Sequence, residues 1–498
     1  MTTATVASPA VETTTDSAAV SWAIREKGAY TRQLRLGEWI GAPVTPLFES
    51  WLLSAMEVRM HRFFLDEIGQ RAPLPHHVIV NGWYFYSLNW LSPGNLLRSL
   101  PGILSHVVRS PRSVAGVIPP TVRHSFPVFE RRWRSDIQPR YRAAVAGAEA
   151  RVESAPVGEL PQLIDDMADL AGEYFGSIAA LAGAAYKLEM NLARFYGRHL
   201  APKLGGSHLP LVTGLEPPTD PAGHAVTSLD WFEPIRPVAS ATTSAESHAR
   251  IVEVRQALEA AATEVLATSP RTLRSFRRLL ADAQHLNPIR EEQVRELTIA
   301  WPVMRRAVLR IGEALVARGV IAELDDVFFL THDEALAALG GSTAELIDVS
   351  ERRARRVEEA RLTPPLLVGK LNGAMRSIWE SFPKMVGARP TQAAIVSGSP
   401  ASGGRATGRV RVVRGPNEFD TLQPGEILVA PVTAPAWTPL FTLAAAVVTD
   451  VGSVAAHASV IAREYGIPAV VGCGDATSKL RTGMIVTVDG SAGNVEPA

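Results

Sequence analysis

One run, Thr449 to Gly472, constrains this chain more than any other. An apolar stretch, Ala444 to Val448, ends at Asp450, and Gly452 permits a sharp backbone turn. His457 then falls in the first turn of a short helix, whose far end is marked by Gly466 and Pro468 before a second apolar stretch. Strand, tight turn, histidine, helix and strand in succession require an α/β unit. The start of a helix presents unpaired backbone N–H groups and the positive end of the helix dipole. An imidazole placed there is suited to carrying an anionic phosphoryl group. The alternative is a capped, partly buried histidine of an ordinary α/β domain.

The rest of the chain divides at a change of period. Residues 1–20 are rich in Thr, Ala and Ser and are expected to form a disordered lead. From 21 to 390 the pattern is mainly helical, clearest at Leu297, Trp301, Met304, Val308, Ile311 and Leu315, which share one helix face. Pro302 kinks that helix or marks its start. Pro217–Ser247 reads as a long surface loop, a lid or an insertion. Residues 391–404, with Gly398, Gly403 and Gly404, read as a flexible hinge. Short β-like runs then fill 405–498, punctuated by Pro424-Gly425 and Asp489-Gly490. The expected fold class is multidomain, α and α/β: a large helical domain followed by a small α/β domain.

Composition excludes several functions. Lys+Arg and Asp+Glu are both 50, so no net field draws the chain to nucleic acid or an anionic membrane. Arg131, Arg132, Arg134, Arg140 and Arg142 cluster locally and read as a solvated helix face. The one cysteine, Cys473, rules out an internal disulfide framework and agrees with a reducing cytoplasm. No signal peptide or spanning segment is evident, so the expected location is cytoplasmic. No metal site is expected.

The run around His457, above all Ala462-Arg463-Glu464-Tyr465-Gly466-Ile467-Pro468-Ala469-Val470-Val471-Gly472, resembles the swivelling phosphohistidine domain of the phosphoenolpyruvate-utilising enzymes. Gly425–Val429, Pro435–Phe441 (with Thr438) and Val488-Asp489-Gly490 add to the likeness. Pro43–Leu47, the aromatic stretch Trp83–Tyr86, Arg290-Glu291 and Asp325–Thr331 look like the central helical domain of rifampicin phosphotransferase-like enzymes. The chain departs from the family pattern at Ser453, usually glycine, at Ala456, usually Ser or Thr, and at Val294, where an Arg-Glu-x-x-Lys segment has its lysine.

The resemblance implies that His457 is the phosphohistidine, supported by Gly452, Ser453, Thr438, Arg463 and Glu464. Arg290 is a candidate clamp on a phosphoryl oxygen, or else pairs with a carboxylate of its own helix. Trp83, Tyr84, Tyr86 and Arg295 are candidates for an apolar acceptor pocket, although core packing suits the aromatics equally. No glycine-rich phosphate loop followed by lysine and no strand–helix barrel is evident. The chain alone is therefore expected to bind no cofactor, with Mg-ATP held by a separate ATP-grasp subunit. The expected function is phosphoryl transfer through His457 to a hydroxyl of a bulky apolar or aromatic small molecule. The alternatives are a non-catalytic ligand- or partner-binding member of the family, or a dehydratase that phosphorylates and then eliminates.

Overall fold

The computed structural model describes residues 20–498, apart from 27, 33–36, 38, 64, 67–75, 90–92, 110–121, 216–223, 235, 238–244, 342–346, 372, 374–375, 377–390 and 455. The expected disordered lead thus lies almost wholly outside the described residues.

The first part is built on helices. Helix α1 (Ser54–Phe63), α2 (Gln138–Arg151), α3 (Leu160–His199), α4 (Pro270–Leu297) and α5 (Trp301–Ala317) carry its core. Helix α3 has 40 residues and so spans about 60 Å. Its buried positions Leu163, Ile164, Met167, Ala168, Ala171, Tyr174, Phe175 and Ile178 step by three and four, the stripe that a core-facing helix needs. Gly172 and Gly176 let α1 approach closely, since a Cβ at Gly172 would lie 2.8 Å from that of Arg59. Pro302 occupies the first turn of α5 and marks its start; Trp301, Met304, Val308, Ile311 and Leu315 are buried on α5 as their spacing requires, whereas Leu297 is the last residue of α4 and not part of that helix.

A small sheet interrupts the helices, which the sequence pattern does not announce. Strands β1 (Ala29–Thr31), β2 (His77–Val80), β3 (Trp83–Ser87) and β4 (Leu367–Gly369) pair antiparallel in the order β2-β3-β1-β4. Strands of three to five residues carry little periodicity, and β4 joins from far along the chain. The loop expected at 217–247 also needs correction. Val226, Leu229 and Trp231 lie in the core, Trp301 Nε1 donates to Leu229 O at 2.8 Å, and Asp230 accepts from the Thr45 N–H and hydroxyl. Residues 226–231 of that stretch are therefore buried structure.

The second part is an eight-stranded sheet. Its strands are β5 (Val396–Ser397), β6 (Ser399–Ser402), β7 (Arg405–Val412), β8 (Ile427–Ala430), β9 (Ala446–Thr449), β10 (Ala469–Val471), β11 (Ile485–Asp489) and β12 (Asn494–Pro497), in the order β5-β12-β11-β7-β8-β9-β10-β6. The pairs β7–β8, β8–β9 and β9–β10 are parallel, and the edges are antiparallel. Strands β8 and β9 are buried at every residue, as parallel strands covered on both faces should be. Leu428, Ala430 and Val447 face one apolar cluster and Ile427, Val429, Ala446 and Val448 the other, following the two-residue period.

This sheet corrects the hinge. Residues 396–402 are two of its strands, Ser399–Ser402 are fully buried, and Ile395 N–H donates to Val495 O at 2.8 Å. A Cβ at Gly398 would lie 2.5 Å from Val471 O, so that glycine serves a close backbone approach and not a swivel. Any tether between the two parts lies upstream of Ile395, and most of 370–390 falls outside the described residues.

Candidate functional site

His457 is the first residue of helix α6 (His457–Tyr465), which follows the carboxyl end of β9. Three local features place it. Gly452 turns at φ +152°, a conformation closed to ordinary side chains, and a Cβ there would crowd Thr449 and Val471. Ser453 O accepts from the Ala456 N–H at 2.9 Å and from the Ser459 hydroxyl at 2.6 Å, which ties the turn to the helix start. Gly466, at φ 67°, ends the helix in the left-handed conformation.

The imidazole sits between two hydroxyls. Thr433 Oγ1 is 3.2 Å from Nδ1 and Thr438 Oγ1 is 3.4 Å from Nε2, while the Phe441 ring stands edge-on at 6.1 Å. Thr433 is buried at 3 % exposure, and Thr438 and His457 are half-buried. Burial pushes the His457 pKa down to about 3, leaving the ring neutral with a free lone pair at neutral pH. A neutral ring at a helix start, with a threonine hydroxyl beside each nitrogen, is equipped to act as a nucleophile toward phosphorus.

Thr433, whose hydroxyl lies against Nδ1, was not singled out in the sequence. Ala456 is the N-cap and offers no side-chain bond. Thr433 lies just past the carboxyl end of β8, the neighbour of β9, so both residues emerge at the same edge of the sheet. A hydroxyl residue following a buried apolar strand was the available signal. Asp450, also at this edge, accepts from the Thr477 N–H at 2.9 Å and from its hydroxyl. Burial raises its pKa, while Thr477 and Arg32 oppose the rise. Burial likewise pushes the Cys473 thiol up, which suits a packed residue and not a nucleophile.

Arg463 and Glu464 do not touch the imidazole. Both point to the helical part: Arg463 Nη1 lies 3.5 Å from Glu189 Oε1, and Glu464 Oε1 accepts from the Gly214 N–H at 3.0 Å. Arg290 joins the same cluster, 3.8 Å from Glu189 and 3.0 Å from Glu291. Glu189 and His208, central to this contact, carried no signal in the sequence.

The expected acceptor pocket is not formed. Trp83 and Phe85 pack on one face of β3 and Tyr84 and Tyr86 on the other, all buried. The cavity at Tyr84 and Tyr86 is about 10 Å³, room for one water. Arg295 is exposed on α4. A larger groove of about 540 Å³ runs between α1, α2 and α3, lined by Arg59, Arg140, Arg151, Asp169 and Glu173, and is charged where an aromatic pocket was expected. The basic cluster at 131–142 is a solvated face: Arg134 pairs with Glu292, and Arg140 with Asp136 and Glu173. Among the described residues no group of three or more His, Cys, Asp or Glu is arranged to hold a metal, and no helix is long and apolar enough to cross a membrane.

Residues 422–493, which hold the histidine turn, its helix and the parallel strands around them, match the family described as PEP-utilising enzyme, mobile domain. It is 40% identical over 190 residues to an uncharacterised phosphotransferase of Bacillus subtilis, covering 38% of this chain and 23% of that protein. A rifampicin phosphotransferase of Streptomyces sviceus is 36% identical over 199 residues, 39% of this chain and 21% of its own. A phosphoenolpyruvate synthase of Aeropyrum pernix is 44% identical over 142 residues, 27% of this chain and 17% of its own. The chain thus spans about a quarter or less of the length of these relatives. The matched stretches cover 27% to 39% of this chain.

Proposed function

We propose that this chain is the carrier and acceptor component of a phosphotransferase, with His457 Nε2 as the phosphorylated atom. The observation that carries this reading is the imidazole itself: neutral through burial, at the first position of a helix, with Nδ1 against the buried Thr433. Nδ1 keeps its proton and donates to Thr433 Oγ1, which leaves the lone pair on Nε2. That lone pair forms a bond to phosphorus while the bond from phosphorus to its previous oxygen breaks. The helix N-terminus and the Thr438 hydroxyl face the oxygens so placed. In the second half-reaction the N–P bond breaks toward an acceptor hydroxyl, whose proton is lost to solvent, and the neutral imidazole returns. Splitting one transfer in two in this way is the ordinary use of covalent catalysis.

The phosphoryl donor in this reading is Mg-ATP on a separate ATP-grasp subunit. The acceptor is a hydroxyl of a bulky apolar or aromatic small molecule, consistent with the rifampicin phosphotransferase among the relatives. The chain is incubated with that subunit and γ- or β-labelled ATP. Acid-labile, base-stable label should appear on the chain and be absent from His457→Ala. Label that persists in the variant overturns the assignment.

A further inference from the structure

A buried carboxylate joins the histidine helix to the helical part. Glu189, in the C-terminal half of α3, is 2 % exposed, with Arg463 Nη1 at 3.5 Å, His208 Nε2 at 3.6 Å and Arg290 Nη1 at 3.8 Å. Two guanidinium groups and an imidazole converge on it, and one of the guanidiniums belongs to the mobile domain. Arg463 is fixed from its own side, donating through Nε to Ser459 O at 3.0 Å and through Nη2 to Val454 O at 2.9 Å. Its head is therefore rigidly placed with respect to the turn that carries His457. The next residue, Glu464, extends the contact to the Gly214 N–H.

The contact distances decide what kind of joint this is. Charge-assisted hydrogen bonds run at about 2.7–2.9 Å. The separations at Glu189 are longer, so the joint is held by charge and excluded water, without a locked fork. Undocking gives both sides back to water. Removing the carboxylate alone is different: Arg463 and Arg290 would stay buried with no anion between them, the costly way to break a buried pair.

We propose that Glu189 is the positioning residue that docks the mobile domain on the helical part, with Arg463 as the group it holds. The catalytic consequence rests on the phosphoryl-carrier reading; the docking itself does not. In that reading the docked position is the one from which His457 serves an acceptor, and release is needed for it to reach the donor.

The test uses the full chain as wild type, Glu189→Gln and Arg463→Gln, with Glu351→Gln on the exposed helix Ser350–Ala360 as control. Small-angle scattering reads opening, and diethyl pyrocarbonate modification of His457, mapped by mass spectrometry, reads its exposure. Glu189→Gln should enlarge the radius of gyration and speed His457 modification by about tenfold or more. Arg463→Gln should act in the same direction but less, because Arg290 still neutralises Glu189. The double variant should open no further than Glu189→Gln alone. A folded Glu189→Gln with wild-type scattering and reagent rate overturns the proposal; should that variant fail to fold, an unchanged Arg463→Gln overturns it. Opening of Glu189→Gln in a chain whose His457 never takes up phosphoryl label leaves docking standing and removes the carrier reading. If label is taken up, Glu189→Gln should retain loading of His457 and lose transfer to the acceptor.

Discussion

Acidification should expose the environment of His457. Its imidazole has an ordinary pKa of 6.5, and burial lowers it to about 3 in the folded chain. Between those values the unfolded chain binds a proton at this residue that the native chain refuses. The native state is therefore at full advantage above pH 6.5 and loses ground as pH falls toward 3. The slope rises to about 1.4 kcal/mol per pH unit once the unfolded imidazole is protonated, so moving from 6.5 to 4.5 removes about 2.3 kcal/mol. Other groups act in this range with the opposite sign: burial raises the pKa of Asp230, Asp450 and Glu464, so protonating them favours the native state. Glu189, held at about 2 by His208, Arg463 and Arg290 against its burial, withdraws its stabilisation mainly between 4.5 and 2. Comparing wild type with His457→Gln cancels these contributions. Urea unfolding at several pH values should give curves that converge between 6.5 and 4.5, with the variant gaining on wild type. Imidazole NMR should show no His457 titration near 6.5. A His457 resonance that titrates there in the folded chain, or stabilities that run parallel across the window, would refute burial as the dominant influence on this ring.

Two further outcomes bear on the site and its scaffold. Thr433→Val should leave the Nδ1–H buried without an acceptor and slow His457 phosphorylation by about tenfold to a hundredfold, whereas Thr438→Val should slow it less; in a rapid-quench labelling assay, the reverse order would move the reacting atom to Nδ1. Gly490→Ala places a Cβ 1.9 Å from Ser402 O and 2.8 Å from Ala469 N, so the mobile domain should lose several kcal/mol, on the order of 3, in urea unfolding; a loss under about 0.5 kcal/mol, within the range of a neutral surface change, would show that β6 yields easily.

What the sequence determined is local. The strand–turn–helix run around His457 is short-range: Gly452, Gly466 and Pro468 lie within the element they shape, and the structure forms it where the pattern puts it. The same holds for α5, whose stripe and Pro302 lie within a few turns. Tertiary structure decided everything that needs partners distant in the chain. Ser397–Gly404 has the composition of a linker, but β10 and β12 offer it unpaired backbone groups, and that pairing makes it strands. Trp83–Tyr86 has the composition of an aromatic pocket, but β1 and β2 flank it and close it into core on both faces. Thr433 and His457 are brought together only because β8 and β9 run parallel in register, placing both carboxyl ends at one edge. Arg290 was legible as a cation of α4, but its partner was not: Glu189 is an unremarked residue of a long helix until α3, α4 and α6 converge and leave it the anion between two buried arginines.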